Sequence, residues 1–122
     1  MPLNKVSDID RQALGDRAGD NDNTIAGVIA LARPTTARPG DVLMREGVVG
    51  EQAYTVRAGR AQVFVDGEPV AQLGPGSLIG DSSISGEPAP ATVRAITPMQ
   101  LLALGPQALA LLDRSIESRD AR

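Results

Sequence analysis

Apolar residues recur at helical spacing near both ends of the chain. A first helix is predicted over 7–17, because a capping serine begins it and Asp10, three residues later, makes a weak capping box. A second helix is predicted over 24–32, with Asn23 as its cap, since its apolar residues share one face that needs a core. Pro106 begins the last helix, because proline is favoured at the first helical position.

The chain between these helices changes to short β-prone runs, from about 35 to 104, interrupted by Gly, Pro or Asp-Gly. This texture is typical of an antiparallel sandwich or barrel. Residues 53–58 alternate between two kinds of side chain, which predicts a half-buried strand, and Asp66-Gly67 predicts a two-residue hairpin turn. The fold class is therefore mainly β with flanking α-helices. Segment 80–90 lacks periodicity and is enclosed by strands.

The composition removes several classes of chemistry. The 122 residues include no Cys and no His, which excludes disulfides, thiol nucleophiles, imidazole bases and ordinary zinc sites. The carboxylates are scattered without a paired arrangement, so we do not predict an enzyme. The polar run 20–23 resembles the start of a calcium loop, but the Gly and Glu expected further along such a loop are missing. No metal site is predicted.

The charge and the aromatic content limit the expected partners. The net charge is −3, no run of Lys or Arg forms a basic stripe, and Tyr54 and Phe64 are the only aromatic residues. Direct binding of nucleic acid is therefore not expected. The longest apolar stretch, 25–32, is too short to cross a bilayer, and residues 1–10 lack the pattern of a secretion signal. We expect a cytoplasmic protein without membrane contact.

A set of short motifs carries a resemblance to a known family. The motifs are Pro39-Gly40-Asp41-Val42-Leu43, Arg45-Glu46-Gly47, Tyr54-Thr55-Val56, Ala58-Gly59, Gly74-Pro75-Gly76-Ser77-Leu78-Ile79-Gly80-Asp81 and Ala91-Thr92-Val93-Arg94-Ala95. Together they resemble the cyclic nucleotide-binding domain family, which includes bacterial catabolite activator proteins and regulatory subunits of cyclic-nucleotide-dependent kinases. Arg45 and Glu46 are interpreted as solvent-facing loop charges, and Glu46, which belongs to the family's turn motif, can also brace the barrel.

The resemblance implies an antiparallel β-barrel or jelly roll of the cyclic nucleotide-binding type over 24–114. An N-terminal helical extension and linker would then occupy 1–23, and a polar tail would occupy 115–122. In the family, the segment that corresponds to 80–91 is a phosphate-binding cassette, a turn and short helix whose N–H groups hold the cyclic phosphate and which an Arg closes. The implied ligand is cyclic AMP or cyclic GMP, with no other cofactor.

The resemblance also implies the ligand contacts. An acidic residue, here Asp81, would accept hydrogen bonds from a ribose hydroxyl, although Asp81 can equally cap the short helix. The serine hydroxyls that follow would add donors to an anion. The candidate ligand-binding residues are Ile79, Gly80, Asp81, Ser82, Ser83, Ala89, Pro90, Ala91 and Thr92.

Two departures from the family pattern fall in the second part of this segment. Ala89 stands where the family has its phosphate-binding Arg, and Pro90 lacks the backbone N–H that this position would donate. Removing one partner of a buried charge pair costs about 2–5 kcal/mol, which is roughly 30-fold to several thousand-fold in affinity. Arg94 is expected to point to solvent, because it lies on a strand with alternating sides.

Two functions follow from these observations. The first is a regulatory, ligand-sensing domain with weak or altered cyclic nucleotide binding, in which the helix from Pro106 repositions as a lid. The alternative is a non-binding degenerate domain that acts as a protein–protein docking or assembly module. Because only eight residues follow Arg114, no helix-turn-helix is expected there, and any output would pass through a protein partner. The helix over 7–17 is a candidate surface for that partner or for a homodimer.

Overall fold

The computed structural model describes residues 7–19 and 21–120, and side chains within that part except those of 16, 17 and 114–120. It contains four helices and eight strands within the described residues. In chain order they are α1 (Asp8–Ala18), α2 (Asp22–Leu31), β1 (Arg33–Ala37), β2 (Val42–Met44), β3 (Ala53–Ala58), β4 (Ala61–Val65), β5 (Glu68–Leu73), β6 (Leu78–Ile79), α3 (Asp81–Ser85), β7 (Thr92–Ala95), β8 (Met99–Leu104) and α4 (Pro106–Asp120).

The strands form two antiparallel four-stranded sheets, with orders β1-β8-β3-β6 and β2-β7-β4-β5. Strands β4 and β5 are joined by the predicted hairpin, in which Val65 pairs with Glu68 and the turn residues Asp66 and Gly67 have φ of 52° and 82°. Both angles are positive, as a two-residue turn of this kind requires. The predicted fold class, mainly β with flanking helices and a jelly-roll arrangement, is confirmed.

Strand β3 separates two hydrophobic cores. Val56 packs between the two sheets, in a cluster with Met99, Leu101 and Val93. Ala53 instead contributes to a second cluster, which the helices form with the outer face of the first sheet. Strand β3 is therefore buried on both faces over most of its length, and not half-buried as its alternation predicted. The reason is that the helical cluster covers the second face of the sheet, with α1 and α3 against β3 and with α2 and α4 against β8.

Helix α1 is tied to the barrel by a buried carboxylate. Ser7 Oγ accepts from the Asp10 N–H at 3.1 Å, which confirms the predicted cap. The Asp10 side chain is turned toward Arg57 on β3, whose Nη2 donates to its Oδ2 at 3.0 Å. Asp10 is only 3% exposed, so this ion pair supplies the partner that a buried charge needs. Leu14 packs in the same cluster as α2 and α4.

Helix α2 begins earlier than the sequence pattern predicted. Asn21 is its cap, and its side-chain oxygen accepts from the N–H groups of Asn23 at 2.9 Å and Thr24 at 3.2 Å. Asn23 therefore lies inside the first turn and is not the cap. Within the described residues, none of the helices has the length and apolarity needed to cross a membrane. The predicted extension over 1–23 and tail over 115–122 lie partly outside the described residues.

Candidate ligand site

A sharp turn leads from the first sheet into the candidate site. Gly80 has φ of 90° and ψ of 30°, a left-handed conformation that side chains disfavour. A Cβ at this position would lie 3.1 Å from the Gln52 carbonyl oxygen and 3.3 Å from the Ala53 Cα. Glycine is therefore favoured at this position for two reasons, the positive φ and the close approach of the backbone to the start of β3. Helix α3 follows and ends at Gly86, which is also left-handed, with φ of 74°.

The predicted contact residues at the start of this segment differ in exposure. Ile79 is buried between the sheets, and Gly80 is also buried. Asp81 is exposed and is the first residue of α3, whose cap position is Gly80. The structure thus places Asp81 in the first turn and not at the cap. Ser82 and Ser83 are half-buried, and the Ser82 Oγ is buried without a hydrogen-bond partner among the described residues.

Ala89 is held from both sides by the loop that precedes β3. Its N–H donates to the Val48 carbonyl at 3.0 Å, and its carbonyl accepts from the Gly47 N–H at 2.8 Å. Its side chain is buried, with 5% of the residue exposed. Pro90 is exposed and has no N–H to offer. The position predicted for a phosphate-binding Arg is therefore a buried methyl group on a backbone whose polar groups are already paired.

Thr92 and Glu46 connect the end of the segment to the hairpin. Ala91 is buried, and the Thr92 Oγ1 accepts from the Glu46 N–H at 3.0 Å. The Glu46 carboxylate in turn accepts from the Asp66 N–H at 2.9 Å. These bonds confirm that Glu46 braces the barrel. They also engage the Thr92 hydroxyl with the Glu46 backbone N–H.

Arg94 is directed away from the inter-sheet core. Val93 and Ala95, its neighbours on β7, pack between the sheets. Arg94 itself is exposed, and its guanidinium carbon lies 5.6 Å from the centroid of the Phe64 ring. This distance suits a cation–π contact. The predicted outward orientation of Arg94 is confirmed, and the contact gives the side chain a partner on the outer face of the sheet.

The sequence analysis missed two residues at this site. Ile84 is 5% exposed and packs with Leu109 and Leu112 of α4. The available signal was a single large apolar residue in the otherwise polar helix α3. Tyr54 pairs with Ile79 across β3 and β6, and its hydroxyl donates to Gln52 Oε1 at 3.1 Å. Burial raises the pKa of the Tyr54 phenol, which is consistent with its place against the inter-sheet cluster.

Carboxylates dominate the charge around α3. Segment 80–91 contains Asp81 and Glu87 and no Lys or Arg. A shallow groove of about 310 Å³ runs between α3 and α4, and its lining includes Glu51 and Asp113 together with Ser83. Over the described part of the chain, no three potential metal-ligating side chains come together. The site is therefore an acidic and partly apolar surface, with a buried hydroxyl at Ser82.

Comparisons with known proteins agree with this geometry. A family model for the cyclic nucleotide-binding domain matches residues 34–114. Over 78 residues, 63% of this chain, the sequence is 38% identical to a cyclic nucleotide-gated potassium channel from Rhizobium etli, and the match covers 22% of that channel. The matched region thus spans about a fifth of the length of the curated relatives.

Solved structures with the same fold include two regulators. The N-terminal domain of a transcriptional regulator from Streptomyces coelicolor A3(2) has a TM-score of 0.68 and 29% identity, over 93% of this chain and 90% of that one. The regulatory subunit of a cAMP-independent protein kinase A from Trypanosoma cruzi, bound to guanosine, has a TM-score of 0.76 and 19% identity. That match covers 94% of this chain and 44% of the kinase subunit, and at this identity it reports the fold alone.

Proposed function

Because this chain belongs to the cyclic nucleotide-binding domain family, we propose that it is a ligand-sensing regulatory domain whose binding of cyclic nucleotides is weak or altered. One observation carries the proposal. The chain retains the turn at Gly80 and the short helix α3, yet the position of the expected Arg is the buried Ala89. The backbone turn and helix of a binding segment are present, and the Arg that would pair with the phosphate is absent.

The size of the expected loss follows from electrostatics. A cyclic phosphate that leaves water needs a cation or several donors, and removal of one partner of such a pair costs about 2–5 kcal/mol. Pro90 removes a second contact, because it has no N–H. Arg94 is directed toward Phe64, so it offers no replacement in this conformation. On this basis a micromolar site for a cyclic nucleotide would become a millimolar one, roughly a thousand-fold loss.

Helix α3 would couple ligand binding to a change elsewhere in the domain. Ile84 joins α3 to the helical core, where it packs with Leu109 and Leu112 of α4. A ligand that shifts α3 would therefore bias the position of α4, which acts as a lid and passes the change to a protein partner.

Thermal unfolding with and without millimolar cyclic AMP or cyclic GMP tests the proposal. A ligand at ten times its dissociation constant adds about 1.4 kcal/mol, which raises the Tm of a domain of this size by about 4–8 °C. We expect a shift of this order only at about 10 mM ligand, which is ten times a millimolar dissociation constant, and we expect Asp81→Ala to abolish it. Glu87→Ala is the matched control, because it removes the other carboxylate of the segment outside the expected contacts.

The alternative function is a docking or assembly module that binds no small ligand. It is favoured by the loss of the expected Arg, since the buried methyl group of Ala89 stands at that position. Absence of a thermal shift with both cyclic nucleotides would make this alternative the leading function. The absence of enzymatic activity, the cytoplasmic location, the homodimer and the lack of nucleic-acid or membrane contact stay predictions.

A further inference from the structure

An open cavity of about 500 Å³ lies on the first sheet, where strands β1, β8 and β3 run side by side. Its lining residues are Pro34, Thr35, Thr36, Arg57, Gln100 and Leu101. None of the candidate contacts from 79 to 92 is among them, so this cavity is separate from the site described above. Its volume is within the range of about 300–1,000 Å³ that small-molecule pockets occupy.

The pairing of β3 with β8 is irregular at Arg57, the charged residue of this cavity. Val56 pairs with Leu101. The next pair joins Ala58 to Gln100, so Arg57 is the extra residue of a bulge. Bulges of this kind redirect a side chain and are frequent beside functional sites. The Arg57 side chain is 41% exposed and lines the cavity.

One edge of the Arg57 guanidinium is already occupied. Its Nε and Nη2 donate to the two carboxylate oxygens of Asp10, at 3.4 and 3.0 Å. Its Nη1 makes no hydrogen bond within the described residues. The N–H groups of Nη1 and the second N–H of Nη2 form the other edge, to which a carboxylate can bind through two parallel hydrogen bonds. Because buried Asp10 holds the side chain, this edge is oriented before a ligand binds.

The other polar side chains of the cavity are uncharged. Thr36 and Gln100 are exposed, and they pair across β1 and β8. A hydroxyl and an amide both donate and accept hydrogen bonds, so they suit the hydroxyl groups of a ligand. The four strands of the first sheet contain Arg33 and Arg57 but no Asp or Glu. The charge of the strands that line the cavity therefore favours an anion.

We propose that this cavity binds a small carboxylic acid that carries hydroxyl groups, such as a sugar acid, with its carboxylate on the free edge of Arg57. Thr36 and Gln100 hydrogen-bond its hydroxyls. A carboxylate is planar like the guanidinium and has a single negative charge. A phosphate monoester has a charge of about −1.5 to −2, which the neighbouring Asp10 carboxylate repels more strongly. This site is independent of segment 80–91 and of the proposed binding of cyclic nucleotides.

Titration of the isotope-labelled full chain with gluconate, followed by NMR, tests the inference. We expect saturable binding with a millimolar dissociation constant, and we expect the amide signals of residues 35–36, 57 and 100–101 to shift while those of 80–91 stay in place. Sorbitol keeps the hydroxyls without the carboxylate and should bind at least about tenfold more weakly. Hexanoate keeps the carboxylate without the hydroxyls and should bind at least about fivefold more weakly.

Two pairs of variants test the contacts. Arg57→Lys keeps a cation beside Asp10 but removes the two-pronged edge, so gluconate should bind about tenfold more weakly. Arg94→Lys, on the second sheet, is the matched control and should leave the dissociation constant unchanged. Gln100→Leu should weaken binding by about 2- to 10-fold through the loss of one hydrogen bond. Its matched control is Gln72→Leu, on the exposed part of β5.

The measurements can overturn each part of the inference. Absence of saturable binding up to about 50 mM gluconate, far above a millimolar dissociation constant, overturns the site. Signal shifts confined to 80–91 overturn its location, and equal binding of sorbitol overturns the carboxylate contact. Tighter binding of inorganic phosphate than of gluconate overturns the ligand class. If Arg57→Lys does not fold, the comparison of Gln100→Leu with Gln72→Leu decides, and equal affinities in these two variants overturn the site.

Discussion

The two halves of segment 80–91 differ in what they retain. The first half contains the short helix α3, and a glycine with positive φ stands at each end of it, Gly80 before it and Gly86 after it. The second half has Ala89 and Pro90, which supply neither a cation nor an N–H where the family resemblance expects both. Packing requires the first half whether or not a ligand binds, while only an anionic ligand would require the lost groups. The backbone conformation of a binding segment and its ligand-binding groups can therefore change independently.

The largest effect is expected at Ile84, which belongs to the first half. Ile84→Ala should lower the free energy of unfolding by about 2–5 kcal/mol, because it leaves a cavity between α3 and α4 in the helical core. Urea unfolding followed by circular dichroism measures the change. Ile96→Ala is the matched control, since Ile96 is 42% exposed and should lose much less. Equal losses at the two positions would contradict the packing role of Ile84.

A smaller effect is expected at the turn that begins the same half. Gly80→Ala should cost about 1–3 kcal/mol, because the added Cβ is strained by the positive φ and lies close to the Gln52 carbonyl. Gly86→Ala has the same kind of φ but no atom within 4 Å of its Cβ, so it measures the conformational strain alone. Thermal unfolding of both variants compares them. A loss at Gly86 as large as the loss at Gly80 would mean that the close approach has no energetic weight.

The smallest effect is expected in the second half. Pro90→Ser should change the free energy of unfolding by no more than about 1 kcal/mol, mostly through the greater freedom of the unfolded chain. Pro90 is exposed, so the substitution neither opens a cavity nor breaks a contact in a core. The same unfolding experiment measures it. A loss as large as that of Gly80→Ala would show that both halves are constrained by packing and would remove the contrast between them.

Local chemistry predicted much of the fold. The Asp66-Gly67 turn, the start of α4 at Pro106 and the outward side chain of Arg94 each depend on a few neighbouring residues, and the structure confirms all three. The burial of both faces of β3 could not be predicted in this way, because the covering helices come from both ends of the chain. The cap of α2 was misplaced by two residues, since 20–23 offers several side chains able to cap.

The candidate site was less predictable than the fold. Its residues were chosen from motifs along 79–92, and the structure gives those residues very different surroundings. The backbone of Ala89 is hydrogen-bonded to residues 47 and 48, about forty positions away in the sequence. No local sequence pattern predicts these hydrogen bonds. The brace from Glu46 to Asp66 likewise joins two turns that are distant in sequence. Long-range hydrogen bonds therefore decide which atoms of the segment remain available for a ligand.

The fluorescence of Tyr54 can report on the surroundings of the candidate site without an added label. The sequence contains one Tyr, one Phe and no Trp, so the tyrosine fluorescence of the protein originates from a single phenol. That phenol is half-buried, pairs across the sheet with Ile79 and donates to Gln52, next to the turn at Gly80. Fluorescence of the unlabelled protein thus samples the neighbourhood of the site directly, free of the overlapping signals that several aromatic side chains would add.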